Sequence, residues 1–321
     1  MDFGIISLGN HALTRVMPAI RASGSDVTHI YSSDRSKGER VSKEYGAEYV
    51  PDLENFVKKP FEAVYISSPN ALHFTHSKMS LDAGKSVLLE KPVTLKIEDT
   101  KKLANLSERE GIPFCIGFHL RFHPAVKDVS SLLAHNAIGK VMIVSGKFTG
   151  HSSRNSPRGT WWDTPEMAGG GSIVGRGVHV MDSFVNLFGK DVVSLSAINN
   201  PKCSIIEDTM YTTIEFRSGI IANSLSSRVI TSNSNDLEIL GTEGNIVVTN
   251  FYSTEVASKL LLNDKSSKEY GEKTNMYLEE IRDFTEKREI IAGSEDAVLS
   301  TKMHLLSQES ACRGRSVTIP G

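Results

Sequence analysis

Short apolar runs separated by turn residues recur through the first part of the chain, at 3–7, 27–33, 62–68, 86–90 and 113–118. Between them the apolar positions take helical spacing, as in Leu13, Val16, Met17 and Ile20. Strands that alternate with helices predict βαβ units and a parallel, doubly wound sheet. We therefore predict an α/β domain over residues 1–120.

The pattern changes after residue 120, where strands dominate. They are predicted at 141–149, 192–198, 209–216, 220–228, 236–240 and 245–249, with hairpin turns at 217–219 and 241–244. Helices are predicted at 178–188 and within 275–313. Residues 121–321 are thus expected to form an α+β domain with a mostly antiparallel sheet.

Composition excludes several classes of protein. The 321 residues are 39% hydrophobic and 23% charged, as in soluble globular proteins, and the net charge of −2 gives no footprint for nucleic acid or an anionic membrane. No apolar run approaches the roughly 18 residues of a membrane helix, and the N-terminus lacks the features of a signal peptide. Three widely spaced cysteines suit neither a disulfide framework nor a zinc site, so we expect a cytoplasmic protein with free thiols and no metal.

The first strand-to-helix turn, SLGNHA at 7–12, corresponds to the dinucleotide fingerprint G-x-G-x-x-G/A. Glycines in that motif let backbone N–H groups approach a pyrophosphate at a helix N-terminus. Only Gly9 matches strictly, because Ser7 occupies the first glycine position. The turn predicts cofactor contacts by Ser7, Gly9, Asn10 and His11, with a plain glycine turn as the alternative.

The end of the second strand bears on the choice between NAD and NADP. An acid there bonds the ribose 2′-OH, whereas hydroxyls and a cation accommodate a 2′-phosphate. The chain has Ser32 and Ser33 at the strand tip, then Asp34, and Lys37 further on. This pattern favours NADP through Ser32, Ser33 and Lys37, while Asp34 facing the ribose would favour NAD. The following helix is predicted to begin with a capping box at Ser36.

Five stretches occur in the order found in one oxidoreductase family. They are SSPNALH (67–73), AGKSVLLEKP (83–92), GFHLRFHPAV (117–126), AGGGSIVGRGVHVMD (168–182) and LEILGTEGNI (237–246). With them the chain resembles the glucose-fructose oxidoreductase/inositol dehydrogenase (Gfo/Idh/MocA) family. The resemblance implies a Rossmann domain followed by a substrate-binding α+β domain with a large, mostly antiparallel open sheet, whose free face joins subunits in a homodimer or homotetramer. It also implies hydride transfer between a nicotinamide and a sugar or cyclitol.

The resemblance also implies roles for the residues that follow two strands. Lys91 matches the catalytic lysine, whose ammonium donates to the substrate oxygen and stabilises charge developing there. Glu90 precedes it and is expected beside the cofactor. Ser68, Asn70 and His73 match the loop that borders the nicotinamide ribose, although Asn70 can also cap a helix.

In the second half, His179 matches the proton-transferring histidine, a role that suits an imidazole. Relatives usually have an aspartate four residues earlier, where this chain has Gly175. Asp182, three residues after His179, either orients the imidazole or is a solvated helix acid. Trp162 either stacks on a ligand or packs in the core. Two further residues, His119 and Arg121, match positions near the substrate.

The main hypothesis is therefore an NADP-dependent sugar dehydrogenase or reductase that uses Lys91 and His179. A nicotinamide-binding sensor without turnover is the alternative from another class, supported by the departures at Ser7, Gly175 and Trp162. A third hypothesis is transient oxidation by a bound nicotinamide during another reaction. The sequence leaves the sugar and the reaction direction open.

Overall fold

The computed structural model describes residues 1–151, 160–232, 234–253, 257–271, 275–286 and 290–319, which form two compact units. Unit 1 comprises Met1–His119 and Asn275–Thr301, and unit 2 comprises Leu120–Thr274 and Lys302–Gly321. The first segment of unit 1 ends close to the domain boundary expected near residue 120. The segment Asn275–Thr301, expected in the second domain, belongs to unit 1 instead.

Unit 1 contains a parallel sheet of six strands among the described residues, in the order β3-β2-β1-β4-β5-β6. This confirms the predicted Rossmann-type sheet. The strands at 63–66 and 86–90 are nearly continuous apolar runs, because both faces of a parallel sheet are covered. The strands are β1 Asp2–Ile6, β2 Asp26–Tyr31, β3 Glu48–Tyr49, β4 Ala63–Ile66, β5 Ser86–Glu90 and β6 Phe114–Gly117.

The helices begin and end close to the positions expected from the apolar periodicity and the glycine stops. For example, α5 ends at Gly111, which adopts the left-handed conformation that favours glycine at this place. In chain order the helices are α1 Met17–Ala22, α2 Arg35–Tyr45, α3 Leu53–Val57, α4 His73–Asp82, α5 Ile97–Glu110, α6 Ala125–Ala134, α7 Pro165–Ala168, α8 Val178–Phe188, α9 Met276–Glu286 and α10 Ser294–Arg313.

Helix α9 explains why the late segment belongs to unit 1. Its apolar residues Tyr277, Ile281 and Phe284 are buried in the same core as β1 and α1. The rings of Phe3 and Phe284 lie 5.9 Å apart. Burial of each such side chain stabilises the fold by about 1.5–3 kcal/mol, so the helix is part of the unit 1 core.

Unit 2 contains a sheet of nine strands among the described residues, in the order β14-β13-β12-β11-β7-β10-β9-β8-β15. Its pairs are antiparallel except for β7 with β10, which confirms the mostly antiparallel sheet. The predicted hairpin turns join β9 to β10 and β11 to β12. The strands are β7 Val141–Thr149, β8 Val192–Asn200, β9 Thr209–Phe216, β10 Ile221–Ser227, β11 Leu237–Gly241, β12 Asn245–Val248, β13 Ser258–Leu262, β14 Lys265–Tyr270 and β15 Val317–Thr318.

The prediction of free thiols is wrong for two of the three cysteines. Cys203 lies in the β8–β9 connection and Cys312 near the end of α10, and the fold brings their Cα atoms to 4.6 Å, where they form a disulfide. They are 109 residues apart, so their spacing gave no indication of the pairing. Cys115 is a free thiol, and burial raises its pKa to about 12.

Across the described part of the chain, no helix combines the length and the apolar character that a bilayer crossing requires.

Candidate active site

The first strand-to-helix turn keeps the backbone conformation of a dinucleotide loop despite its serine. Ser7 has a φ of 75°, the left-handed region that glycine usually occupies. Its N–H donates to the Tyr31 carbonyl at 3.0 Å, and its carbonyl accepts from the Ser67 hydroxyl at 3.2 Å. Gly9 faces open space, with no atom within 4 Å of the position a Cβ would take. The turn therefore leaves its backbone accessible to a ligand.

At the end of β2, the Asp34 carboxylate binds an N–H group of the protein's own backbone. The Asp34 carboxylate accepts from the Lys37 N–H at 3.0 Å and caps α2, so the predicted cap at Ser36 is wrong. Asp34 lies two residues before Ser36 in the extended conformation that a cap requires, and this decides between the two. The buried Ser32 hydroxyl accepts from the Asp34 N–H, whereas Ser33 is exposed.

The loop after β4 is tied to the strand end that carries Lys91. His73 is buried, and its ring nitrogens lie 2.7 Å from the Pro92 carbonyl and 2.9 Å from the Ser68 carbonyl. Burial lowers the pKa of His73, while the two carbonyls act to raise it. Asn70 is also buried, and the cap positions of this turn and of α4 are Pro69 and Leu72 rather than Asn70. His73 thus connects the loop after β4 with the loop after β5. The residue types of Ser68, His73 and Pro92 do not predict this contact.

The carboxylate of Glu90 is held ionised next to Lys91 at the end of β5. Its Oε1 accepts from the Tyr65 hydroxyl at 2.9 Å and lies 3.2 Å from His11 Nε2. Burial acts to raise the pKa of Glu90, but His11, Lys91 and the Tyr65 hydroxyl together lower it to about 2. The Lys91–Pro92 peptide is cis, and Lys91 is half-buried. A cation and an anion therefore follow each other where the sheet ends.

Next to this pair, His119 forms an aromatic cluster with His11 and a residue that sequence reasoning missed. His119 stacks on Tyr277 with ring centres 4.6 Å apart, and His11 meets the edge of the same ring at 5.1 Å. Burial lowers the pKa of His119 to about 3, with His11 adding to the effect, so its imidazole is neutral at working pH. Tyr277 lies on α9, which was expected in the other domain. The helical spacing of the apolar residues in α9 was the only feature of the sequence that pointed to Tyr277.

In unit 2, His179 lies on α8, which continues the π-helical segment Ile173–Gly177, and a buried acid binds the start of that segment. The Glu207 carboxylate accepts from the Gly171 and Ile173 N–H groups at 2.9 and 2.6 Å. A Cβ at Gly171 would lie 1.9 Å from the Glu207 carbonyl, so only glycine fits. His179 itself is buried, with its ring centre 6.0 Å from that of Phe148. Sequence reasoning did not identify Glu207, which lies 36 residues after Gly171.

Arg121 and Asp182 form an ion pair inside unit 2. Arg121 Nη2 lies 2.6 Å from Asp182 Oδ1, and Nε donates to both carboxylate oxygens at 3.1 and 2.9 Å. The side chains are 6% and 5% exposed, which excludes the solvated-acid alternative for Asp182. The roles of Asp182 in orienting His179 and of Arg121 in binding substrate stay predictions.

The two departures from the family pattern lie at accessible places. No atom lies within 4 Å of the position that a Cβ of Gly175 would take. Trp161 and Trp162 stack on each other with ring centres 4.1 Å apart, and both are half-buried, so Trp162 is not a core residue. Its role as a stacking surface for a ligand stays a prediction.

Two models of one protein family match most of the chain. The first is described as an oxidoreductase family with an NAD-binding Rossmann fold and matches residues 1–118. The second is described as the GFO/IDH/MocA C-terminal domain and matches residues 126–247.

Two relatives with named activities match about three quarters of this chain. The 1,5-anhydro-D-fructose reductase of Ensifer adhaerens is 29% identical over 255 residues, 77% of this chain and 75% of the relative. The NADP(+) D-xylose 1-dehydrogenase of Haloarcula marismortui is 24% identical over 257 residues, 77% of this chain and 71% of the relative.

Solved structures share the fold over nearly the full length. The aldose-aldose oxidoreductase from Caulobacter crescentus, solved with glycerol, superposes with a TM-score of 0.89 at 21% identity, over 99% of both chains. KijD10, a 3-ketoreductase from Actinomadura kijaniata solved with NADP and TDP-benzene, superposes with a TM-score of 0.85 at 20% identity, over 97% of both chains.

Proposed function

Because the chain belongs to the Gfo/Idh/MocA family of oxidoreductases, we propose that it transfers a hydride between NADP and a carbonyl or hydroxyl carbon of a sugar. The named relatives are sugar reductases and sugar dehydrogenases, which supports this substrate class. The observation that carries the proposal is the Glu90–Lys91 pair at the end of β5.

A nicotinamide cofactor fits the residues of unit 1. The open surroundings of Gly9 leave room for a pyrophosphate beside the backbone of the turn, and Ser7 keeps the required left-handed conformation. The bound cofactor supplies or accepts the hydride. Asn10 is exposed and the side chain of His11 is 40% exposed, so both can contact a ligand from this turn.

Lys91 is proposed to donate a hydrogen bond to the substrate oxygen. Glu90 favours the charged ammonium because an adjacent anion stabilises a cation. His73 fixes the Pro92 carbonyl next to the lysine. A positioned cation of this kind stabilises negative charge that develops on an oxygen as a carbonyl is reduced.

In unit 2, His179 is proposed to give the proton to that oxygen in reduction and to take it in oxidation, as the family pattern implies. Its helix α8 continues the π-helical segment that starts at Ile173, and the Glu207 carboxylate binds the N–H groups of Gly171 and Ile173 at that start. Rigid support of this kind limits the positions available to the imidazole.

The contacts of Asp34, Ser33 and Lys37 at the end of β2 favour NADP over NAD. The Asp34 carboxylate already accepts the Lys37 N–H as a helix cap. The exposed Ser33 hydroxyl and the half-buried Lys37 side chain belong to the same turn. A hydroxyl and an ammonium suit a 2′-phosphate.

The first experiment is a fluorescence titration with NADPH and NADH, followed by turnover of a panel of aldoses, ketoses and anhydrosugars with the cofactor bound more tightly. The panel is repeated with Lys91→Ala and with Lys96→Ala, an exposed lysine five residues away, as the matched control. We expect NADPH to bind at least about tenfold tighter, and Lys91→Ala alone to lose turnover by about 100-fold or more while still binding cofactor.

Two results would contradict the proposal. Cofactor binding without turnover of any sugar would favour a sensor on this fold. Turnover by Lys91→Ala at the rate of Lys96→Ala would remove the lysine from the chemistry.

A further inference from the structure

Arg176 and His179 lie on one side of the helix that crosses unit 2. Arg176 lies in the π-helical segment Ile173–Gly177 that runs directly into α8, three residues before His179. Residues at this spacing share a helix face. Both side chains lie against the same ring, since Phe148 is 5.7 Å from the Arg176 guanidinium carbon and 6.0 Å from the His179 ring centre. The arginine therefore belongs to the surroundings of the proposed proton-transfer group.

The backbone around Arg176 makes room for its guanidinium and for a ligand. At the end of β7, a Cβ on Gly150 would lie 3.1 Å from Arg176 Nη2, so glycine leaves the space that the guanidinium occupies. On the helix, Gly175 faces open space with no atom within 4 Å of its Cβ position. The helix surface next to Arg176 is therefore open to a ligand.

A second arginine lies near Arg176 and links it to the indole pair. Burial lowers the pKa of Arg176, and Arg228 lowers it further by charge repulsion. Arg228 is itself held by two acids, Asp208 at 2.8 Å and Asp163 at 3.5 Å, so its own charge is balanced. Asp163 follows directly after the stacked Trp161–Trp162 pair, so this ion pair connects the surroundings of Arg176 with the half-buried indoles.

We propose that Arg176 binds an anionic substituent of the sugar, either a phosphate or a carboxylate. The planar guanidinium has five N–H donors, two of which can lie parallel in the geometry that carboxylate and phosphate oxygens accept. The stacked indoles provide an apolar surface for the C–H face of a sugar ring. This inference rests on the proposed function and narrows its substrate class.

The test compares sugars that differ at C6, where a neutral hydroxymethyl group, a phosphate ester or a carboxylate is present. Turnover and binding of D-glucose, D-glucose 6-phosphate and D-glucuronate are measured for wild type, Arg176→Gln and the control Arg217→Gln, an exposed arginine in the β9–β10 hairpin. We expect wild type to prefer one anionic sugar by at least about tenfold in kcat/KM. Arg176→Gln should reduce that preference by about 10- to 100-fold, mainly through KM, while Arg217→Gln keeps it.

The choice between the two anions follows from which sugar is preferred, and higher ionic strength should raise its KM. A wild-type preference for D-glucose, or an unchanged ratio in Arg176→Gln, would overturn the inference. If no sugar is turned over, the proposed function fails, and calorimetric titration then tests the anion site alone. Tighter binding of D-glucose 6-phosphate or D-glucuronate than of D-glucose, lost in Arg176→Gln, would support the site, and equal binding would refute it.

Discussion

Removing one member of the buried Arg121–Asp182 pair is expected to destabilise unit 2 strongly. Three donor–acceptor distances of 2.6 to 3.1 Å join the two groups, and the side chains are 6% and 5% exposed. Solvent therefore screens the pair very little. Asp182→Asn or Arg121→Met leaves the remaining charge buried without its counter-ion.

The size of the effect follows from that buried charge. Breaking such a pair costs about 3–5 kcal/mol, whereas an exposed pair contributes about 0–1 kcal/mol. For a unit of this size each kcal/mol lowers the melting temperature by about 2–4 °C, so each single variant should melt about 6–20 °C lower. The double variant should lose less than the sum of the singles by about 2 kcal/mol or more, because it leaves no charge unpaired.

The assay is calorimetric thermal unfolding together with urea unfolding of wild type, both single variants and the double variant. A matched control is Lys259→Met, which breaks the 2.6 Å pair with Glu269 on the surface, where the side chains are 56% and 66% exposed. Kinetics at a temperature where Asp182→Asn stays folded then separate the two roles of the acid. Orientation of His179 requires a lower kcat and a shifted pH profile, while a purely structural role leaves both unchanged.

The reasoning would be refuted by single variants within about 1 kcal/mol of wild type, or by strictly additive losses in the double variant. Either result would mean that water or a neighbouring group compensates the buried charge. The short distances within the Arg121–Asp182 pair would then not indicate how much the pair contributes to the free energy of unfolding.

Three further changes test other parts of the structure. Glu90 has its pKa lowered from 4.5 to about 2, so its contribution of about 3 kcal/mol is complete above the unfolded pKa and is lost as pH falls toward 2. The melting temperatures of Glu90→Gln and wild type should thus converge on acidification, and parallel profiles down to pH about 3 would contradict this. Lys37→Ala should weaken NADPH binding about tenfold and NADH binding little, and equal losses in the titration would remove the lysine from the phosphate site. We propose that the exposed sheet face around Ile198, 69% exposed and directly opposite Tyr211, joins subunits. Ile198→Lys should then give monomers by light scattering, and an unchanged mass would exclude this face.

Strong periodic signals decided which elements could be predicted. Strands β7 and β9 and helix α8 begin and end where the sequence places them. In β9 every second residue is buried and in α8 the residues from Val178 to Val185 are buried, whereas Met142 and Ile143 of β7 are exposed. The strand β14 was missed, since all but one of its six residues are exposed and polar side chains give no alternating pattern. A two-residue strand such as β3 is too short to carry a signal.

Contacts between distant segments limited the prediction of the site. The sequence pointed to Arg121 and Asp182 as separate candidates, but their pairing with each other depends on packing of segments 61 residues apart. Tyr277 reaches His119 only because α9 packs in the core of unit 1. Sequence patterns along one element identify faces and caps, and they contain no information on which faces meet.

The departures at Ser7 and Gly175 support a changed substrate more than a lost reaction. A serine at a φ of 75° costs about 1–3 kcal/mol relative to a relaxed backbone. Here bonds to Tyr31 and Ser67 fix both of its peptide groups, so the turn keeps its shape. At Gly175 the helix is intact and the missing side chain leaves open space beside Arg176. Unit 1 also keeps the ionised Glu90 next to Lys91, the pair on which the proposed reaction depends. Under the proposed function, the open space at Gly175 would then change the surroundings that a substrate meets near His179.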